Sequence, residues 1–383
     1  LRETMSTLAE VRLWGKTIGA VSLQDGEDVA SFEYDAAFAQ SGIQVAPIVM
    51  PLSRRVYRFP ELSRPTFFGL PGLLADSLPD KFGNALIDAW LASQGRLPGS
   101  FNAVERLCYT GERGMGALEF APAIGPRAKQ STRIEVGRLV ELASEVLTRR
   151  NSLQTALAAE GGEDALKDIL RVGTSAGGAR AKAVIAWHPQ TNEVRSGQLK
   201  AGRGFEYWLL KFDGFRGNRD KELGGPKGYG LIEYAYCLMA IECGIQISEC
   251  RLFRENGRSH FMTRRFDRLA TGEKLHMQSL CALAHHDFNM AGAYGYEQAF
   301  LVMRQLQLPM QAIEQQFRRM VFNIVARNQD DHVKNIAFLM NKSGEWSLSP
   351  AFDLTYSFNP AGAWTASHQM SMNGKRDDFT LED

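Results

Sequence analysis

The sequence predicts an α+β protein in three parts: a strand-rich N-terminal subdomain, a second strand-rich lobe, and a mainly helical C-terminal lobe. Three observations carry the prediction. Apolar and polar residues alternate through residues 9–60, the period of half-buried strands. A glycine-rich segment, Gly173 to Lys182, runs straight into the apolar stretch Ala183–Trp187. From Gln278 onward the apolar spacing is helical.

In order, Val11–Gly19 alternates and carries two glycines as punctuation, and Phe32–Tyr34 and Ile43–Val49 continue the strand pattern. Gly69–Asp80 is rich in turn residues. A helix follows from Pro79 to Gln94, with Phe82, Leu86, Ala89 and Trp90 on one face. Residues 123–135, with Gly125-Pro126, read as a loop and a boundary. Helices are expected over 135–148 and 163–170, and strands at Ala183–Trp187 and Tyr207–Phe212. Leu231–Cys243 reads as a helix, and Arg251–Phe253 and His260–Phe266 as strands. The expected division is 1–125, 126–267 and 268–383. The residues after Asn373 read as the start of a further helix, which implies a longer parent protein.

Composition narrows the function. At 383 residues the chain is too long for one core. A hydrophobic fraction of 44% with 23% charged residues is that of an ordinary globular protein. Forty-four basic against 43 acidic residues leave a net charge of +1, which excludes a strong non-specific grip on nucleic acid or anionic membrane. The five cysteines form no C-x-x-C pair, and Cys237 and Cys243 read as buried thiols in an apolar helix. No apolar run reaches the roughly 18–20 residues of a membrane span. No signal peptide is legible, so a reducing cytoplasm is the expected compartment.

The chemistry concentrates in Asn328-Gln-Asp-Asp-His-Val-Lys-Asn-Ile-Ala-Phe338, after a helix whose apolar stripe is Ile313, Phe317, Val321 and Ile324. Asp330 and Asn335 have the D-x-x-x-x-N spacing of a kinase catalytic loop, and Asp353 follows between apolar residues. Phosphoryl transfer needs one carboxylate near the attacking hydroxyl, an amide and a second carboxylate for a metal, and a lysine on the phosphates. Lys211, ending an apolar strand, is placed for the last role, with Glu233 on the next helix as its partner. Each residue alone has a plainer reading: a helix cap, a turn aspartate, a strand-end lysine reaching solvent. Their joint order favours the kinase reading. Gly173, Gly177 and Gly178 permit close backbone approach to a polyanion, and Arg180 and Lys182 add charge. His285-His286-Asp287 looks like a metal cluster, but adjacent helical residues do not converge on one point. In Arg264–Arg268, Asp267 is placed to neutralise its arginine neighbours rather than leave them for nucleic acid.

These residues resemble the HipA-like serine/threonine kinases, the toxins of type II toxin–antitoxin systems. The resemblance runs through Val11–Gly19, Gly72–Asp80, Ser175–Lys182, Arg265–Arg268, Asn328–Asn335 and Phe352-Asp353. It implies a protein-kinase-like bilobed fold with an N-terminal subdomain used in antitoxin contacts. It implies Asp330 as catalytic base, and Asn335 and Asp353 as holders of Mg²⁺. ATP would be met by the loop Gly177, Gly178, Ala179, Arg180, Ala181 and Lys182, by Lys211, by the hinge Arg264, Arg265 and Phe266, and by His332 and Lys334. Ser175, or its neighbour Thr174, matches a residue whose autophosphorylation shuts the kinase off; a phosphate there would compete with ATP for the loop's donors. The loop reads Gly-Gly-Ala-Arg-Ala-Lys where related proteins often carry a Gln-x-Lys version. The implied partners are a small DNA-binding, HipB-like antitoxin, through which alone nucleic acid is met, and a protein substrate such as an aminoacyl-tRNA synthetase. The rivals are a small-molecule kinase of the aminoglycoside type, and a non-catalytic scaffold for the antitoxin.

Overall fold

A computed structural model describes residues 6–79, 81–125, 133–148, 180–198, 201–214, 228–269 and 271–383. The expected helix at 163–170, and Thr174, Ser175, Gly177, Gly178 and Ala179, lie outside those residues.

The N-terminal sheet is antiparallel, in the order β3-β2-β1-β4, from β1 (Ser6–Leu13), β2 (Lys16–Gln24), β3 (Ser31–Tyr34) and β4 (Leu118–Ala121). Val11–Gly19 is a hairpin rather than one strand. Trp14 and Gly15 turn it with φ of 51° and 77°, the left-handed pair that matches strand twist. Gly19 is required for another reason: a Cβ there would lie 2.3 Å from the Glu33 carbonyl oxygen. The expected strand at Ile43–Val49 is a series of turns. Pro47 cannot donate to a ladder, and the Val45 carbonyl accepts instead from Gln278 Nε2 at 3.0 Å.

Between β3 and β4 lie α1 (Arg64–Phe67), α2 (Gly72–Ala75), α3 (Lys81–Ser93) and α4 (Ala103–Thr110). A capping box starts α4: Glu105 N–H donates to Asn102 Oδ1 at 2.9 Å, and Asn102 N–H to Glu105 Oε2 at 2.8 Å. After α5 (Val136–Thr148) comes a five-stranded antiparallel sheet, β6-β5-β7-β9-β8. Its strands are β5 (Lys182–His188), β6 (Glu193–Ser196), β7 (Glu206–Lys211), β8 (Cys250–Glu255) and β9 (Arg258–Arg264). Ile185, Trp208, Leu210 and Met262 of this sheet share a core with Phe82 and Leu86 of α3 and Leu139 of α5. α6 (Tyr229–Glu242) lies against β8 and β9.

The last lobe holds β10 (His276–Ser279), α7 (Leu280–Ala284), α8 (Tyr296–Gln305), α9 (Met310–Val325), β11 (Ala337–Met340) and β12 (Trp346–Leu348). The N-terminal sheet packs on it: Val11, Phe32 and Val104 share a core with Leu280, Met303 and Phe338. Asp76 ties the two, accepting from Ser279 N–H at 2.7 Å and Ser279 Oγ at 2.9 Å. Beyond Asn373 the chain forms turns rather than the expected helix. A strand-rich lobe above a lobe of helices makes this a bilobed kinase-like fold.

α9 corrects a further expectation. Phe317 and Val321 are 53% and 41% exposed, while Gln316, Arg319 and Asn323 are buried. Ile313 and Ile324 of the expected stripe pack on the core, and Met320 and Phe322 are buried with the polar residues. Asn323 backs the 328–335 loop, accepting from Asn328 Nδ2 at 2.9 Å, and Arg319 donates to the Ser349 carbonyl at 2.7 Å.

Candidate active site

The site lies where β7, α6 and the segments after α9 and β12 meet. In the ladder of β5 and β7, Lys182 stands directly opposite Lys211, so two buried or nearly buried ammonium groups are neighbours. Two carboxylates answer them. Lys211 Nζ lies 2.5 Å from Glu233 Oε1 on α6 and also contacts Asp353 Oδ1. Burial acts against the Lys211 charge, but Asp353 and Glu233 outweigh it and raise the ammonium above its ordinary value. Burial would likewise raise Asp353; Lys211 and Lys182 overcome it and hold that carboxyl down at about 2. Burial raises Glu233 against the pull of Lys211. The set stands or falls together, because removing one member strands a buried charge.

Asp353 takes φ of 53°, a left-handed conformation costly for a residue with a Cβ. Phe352 before it packs tilted against Phe266 with ring centroids 5.6 Å apart, which joins the end of β9 to the Asp353 segment.

The second group is the loop after α9. Asp330 and Asp331 adjoin in sequence and face opposite ways. Asp331 is buried, accepting from Tyr296 Oη at 2.7 Å and Gln369 N–H at 2.7 Å, with His368 Nδ1 2.9 Å away. It is an anchor. The Asp330 side chain is about a third exposed, at 34%, with His332 Nε2 3.9 Å from its Oδ1. Asn335 Nδ2 donates to the Asp330 carbonyl at 2.8 Å, which closes the loop and orients the amide. Trp364 Nε1 donates to Asp330 Oδ1 at 2.6 Å.

Other predicted residues are engaged elsewhere. Arg265 is buried with its guanidinium on Asp267, 2.8 and 2.6 Å away, so its side chain is engaged within the fold. Arg268 joins the same carboxylate at 2.8 Å, and the two arginines, outweighing burial, hold Asp267 well below the usual range. Arg264 lies 3.5 Å from Glu249 and 3.8 Å from Glu206. Lys334 Nζ lies 5.0 Å from the Phe288 ring centroid, and Phe288 also contacts the His332 ring. Arg180 stacks over Tyr229, the first residue of α6, at 3.7 Å. The Ala181 side chain is buried in the lobe's core. His285 and His286 diverge: His285 packs edge-on against Phe59, and His286 stacks on Tyr294.

Sequence reasoning misses Trp364, His368 and Tyr296. Each reaches the loop from 34 or more residues away through tertiary contacts, and none stands in a motif. Among the described residues no group of three His, Cys, Asp or Glu side chains could hold a metal alone. An ion at Asn335 and Asp353 would therefore take most of its oxygens from phosphate and water.

Residues 9–121 match the HipA N-terminal domain, and residues 174–383 match the HipA-like C-terminal domain. No curated protein matches the chain. HipA of Shewanella oneidensis MR-1, solved with HipB and its operator DNA, is similar at TM-score 0.68 and 18% identity over 97% of this chain and 81% of that one. The proinflammatory kinase CtkA of Helicobacter pylori overlaps 39% of this chain and 50% of its own, at 16% identity and TM-score 0.29. With its C-terminal match alone spanning more than half of the 383 residues, the chain belongs to the HipA family.

Proposed function

We propose that this protein is an ATP-dependent serine/threonine protein kinase acting as the toxin of a toxin–antitoxin pair. The observation that carries the reading is the Lys211 ammonium, held between Glu233 and Asp353 next to the Asp330–Asn335 loop. Family membership supports it.

In this reading Lys211 neutralises the inner phosphates, with Lys182 and Arg180 beside the glycine loop. Asn335 and Asp353 are hard oxygen donors of the kind Mg²⁺ takes, and Asp353 stays ionised across the working pH range. Bound Mg²⁺ with ATP supplies neutralisation of charge on the transferring phosphoryl group. Asp330 accepts the proton of the incoming Ser or Thr hydroxyl, and Trp364 fixes the carboxylate's orientation through Oδ1. Asp331 holds the loop from behind. The backbone at Arg265 and Phe266 borders the adenine.

The partner in this reading is a HipB-like DNA-binding antitoxin, by analogy with the Shewanella complex. The substrate is a protein of the translation machinery such as an aminoacyl-tRNA synthetase. Self-modification at Ser175 or Thr174 is the off-switch. No helix among the described residues is long and apolar enough to cross a membrane, and we place the action in the cytoplasm.

The test is incubation with Mg²⁺ and ATP, read by intact mass and peptide mapping beside Asp330→Asn. One phosphate on the peptide of Thr174 and Ser175, absent in the control, supports a live kinase. ATP binding without any transfer, to itself or to synthetases, sinks the activity and leaves the scaffold.

A further inference from the structure

Asp76 ends α2, and both of its carboxylate oxygens are taken up by one residue of the last lobe. Oδ2 accepts from Ser279 N–H at 2.7 Å, and Oδ1 from Ser279 Oγ at 2.9 Å. Two bonds to one carboxylate fix direction as well as distance. Ser279 is in turn the cap of α7, its Oγ accepting from Ala282 N–H at 3.2 Å. The next residue, Leu280, donates its N–H to the Ile336 carbonyl at 2.7 Å. Ile336 directly follows Asn335, whose amide donates to the Asp330 carbonyl at 2.8 Å. A continuous path thus runs from the N-terminal subdomain to the candidate catalytic loop.

Packing follows the same line. Leu73 and Leu74 of α2, Leu280 and Leu283 of α7, and Val333 and Ile336 of the loop share one core. The two short helices also touch backbone to backbone. A Cβ on Gly72 would lie 2.3 Å from the Ala282 carbonyl oxygen, and Gly72 N–H donates to His285 Nε2 at 3.0 Å. Neither helix can slide without moving the other.

We propose that Asp76 is a positioning residue for phosphoryl transfer: through Ser279 and α7 it sets where Asn335 and Asp330 stand, which makes the N-terminal subdomain a working part of the site. The loop has little regular structure beyond the turn Val333–Asn335, so its shape depends on what it is bonded to. Asp331 holds it from one side, through Tyr296 and Gln369. Asp76 holds its far end through α7. Removing outer groups of this kind changes metal affinity or activity about 10- to 100-fold. The role in transfer rests on the kinase reading; the mechanical link from Asp76 to the loop does not.

The experiment compares wild type with Asp76→Ala and with Lys274→Ala, which cuts a different tie between the same two parts, Lys274 Nζ to Glu119 Oε1 at 2.8 Å. Backbone amide exchange is measured first and needs no activity. Asp76→Ala should speed exchange across residues 330–336 as well as 279–284, and Lys274→Ala should leave 330–336 as it was. Faster exchange in Asp76→Ala confined to 72–76 and 279–284 overturns the proposal. Kinetics follow. Asp76→Ala should lower kcat about 10-fold or more and raise the Mg²⁺ needed for half-maximal rate, while ATP affinity without metal stays as in wild type because Lys211 is untouched. Ser279→Ala, which keeps the N–H bond, should fall between the two, and Ser279→Thr should restore the wild-type values. An Asp76→Ala protein that melts earlier yet keeps its kcat and Mg²⁺ dependence also overturns the proposal, since Asp76 is then a structural tie alone. Where Asp76→Ala does not fold, Ser279→Ala carries both readouts. Coupled exchange in a protein whose wild type transfers no phosphate leaves the link standing and sinks the kinase reading instead.

Discussion

The N-terminal sheet buries apolar side chains, whereas the helices beside the cleft bury polar groups along with apolar ones. In the sheet, apolar side chains point inward: Val11, Ile18, Val21 and Phe32 are fully buried. In α6 and α9 charged and amide groups are buried beside apolar ones such as Tyr236, Ala240, Met320 and Phe322. Glu233, Arg319 and Asn323 are buried while Leu231, Leu238, Phe317 and Val321 are exposed. The sheet gains its stability from area removed from water. The cleft helices spend theirs holding charges and amides in place, each of which needs a partner from another part of the chain.

The contrast can be tested by breaking each region in its own terms. Phe32→Ala in the sheet leaves a cavity in a close-packed core and should cost about 4 kcal/mol, seen as a large drop in denaturant midpoint with the ATP site unchanged in kind. Lys211→Met should cost about 3 kcal/mol, because Glu233 and Asp353 are left as a buried pair of like charges. It should also abolish phosphoryl transfer, and the double change with Glu233→Gln should recover stability but not activity.

Acid should act on the polar interior. His276 is fully buried, and desolvation lowers its pKa to about 4 from an ordinary 6.5. The unfolded imidazole therefore binds a proton as pH falls through 6.5 while the folded one does not, so unfolding takes up protons in that window. Stability present above pH 6.5 should fall by about 2 kcal/mol at pH 5 and level off below 4. His285, lowered to about 4 by burial, acts in the same sense. Urea titrations at several pH values, with His276→Gln flattening the slope, check this.

The adjacent acids sharpen the comparison within one loop. Asp331→Asn turns an acceptor of two hydrogen bonds into a partial donor and should cost about 2 kcal/mol in thermal unfolding. Asp330→Asn should leave stability nearly unchanged while removing transfer. The smallest effect is expected of Trp364→Phe, which loses one hydrogen bond worth about 1 kcal/mol and should lower kcat more than it raises KM for ATP.

Much of the sheet architecture is legible in the sequence because its signals are local. Apolar runs place β5 and β7, and alternation marks the region of β1 and β2 while missing the turn at Trp14-Gly15 that divides it. It fails at Ile43–Val49, where the apolar residues are buried but Pro47 and the Gln278 contact keep the backbone out of a sheet. Helical spacing holds in part on α9, where Ile313 and Ile324 pack on the core but Phe317 and Val321 of the same stripe are exposed. The candidate site is legible in part. Asp330 and Asn335 share one short motif, while Lys211 and Asp353 are 142 residues apart and are joined in sequence only by the family resemblance.

The sequence by itself determines the fold class and the set of residues able to do phosphoryl chemistry, since these follow from spacing and residue type. Only the tertiary structure decides that Asp331 is the anchor and Asp330 the exposed carboxylate. It alone brings Trp364 onto Asp330 and buries Gln316, Arg319 and Asn323 of α9, with Asn323 bonded to the loop at Asn328. The physical reason is the same in each case. A buried polar group is positioned by whichever distant donor or charge satisfies it, and no local pattern names that partner.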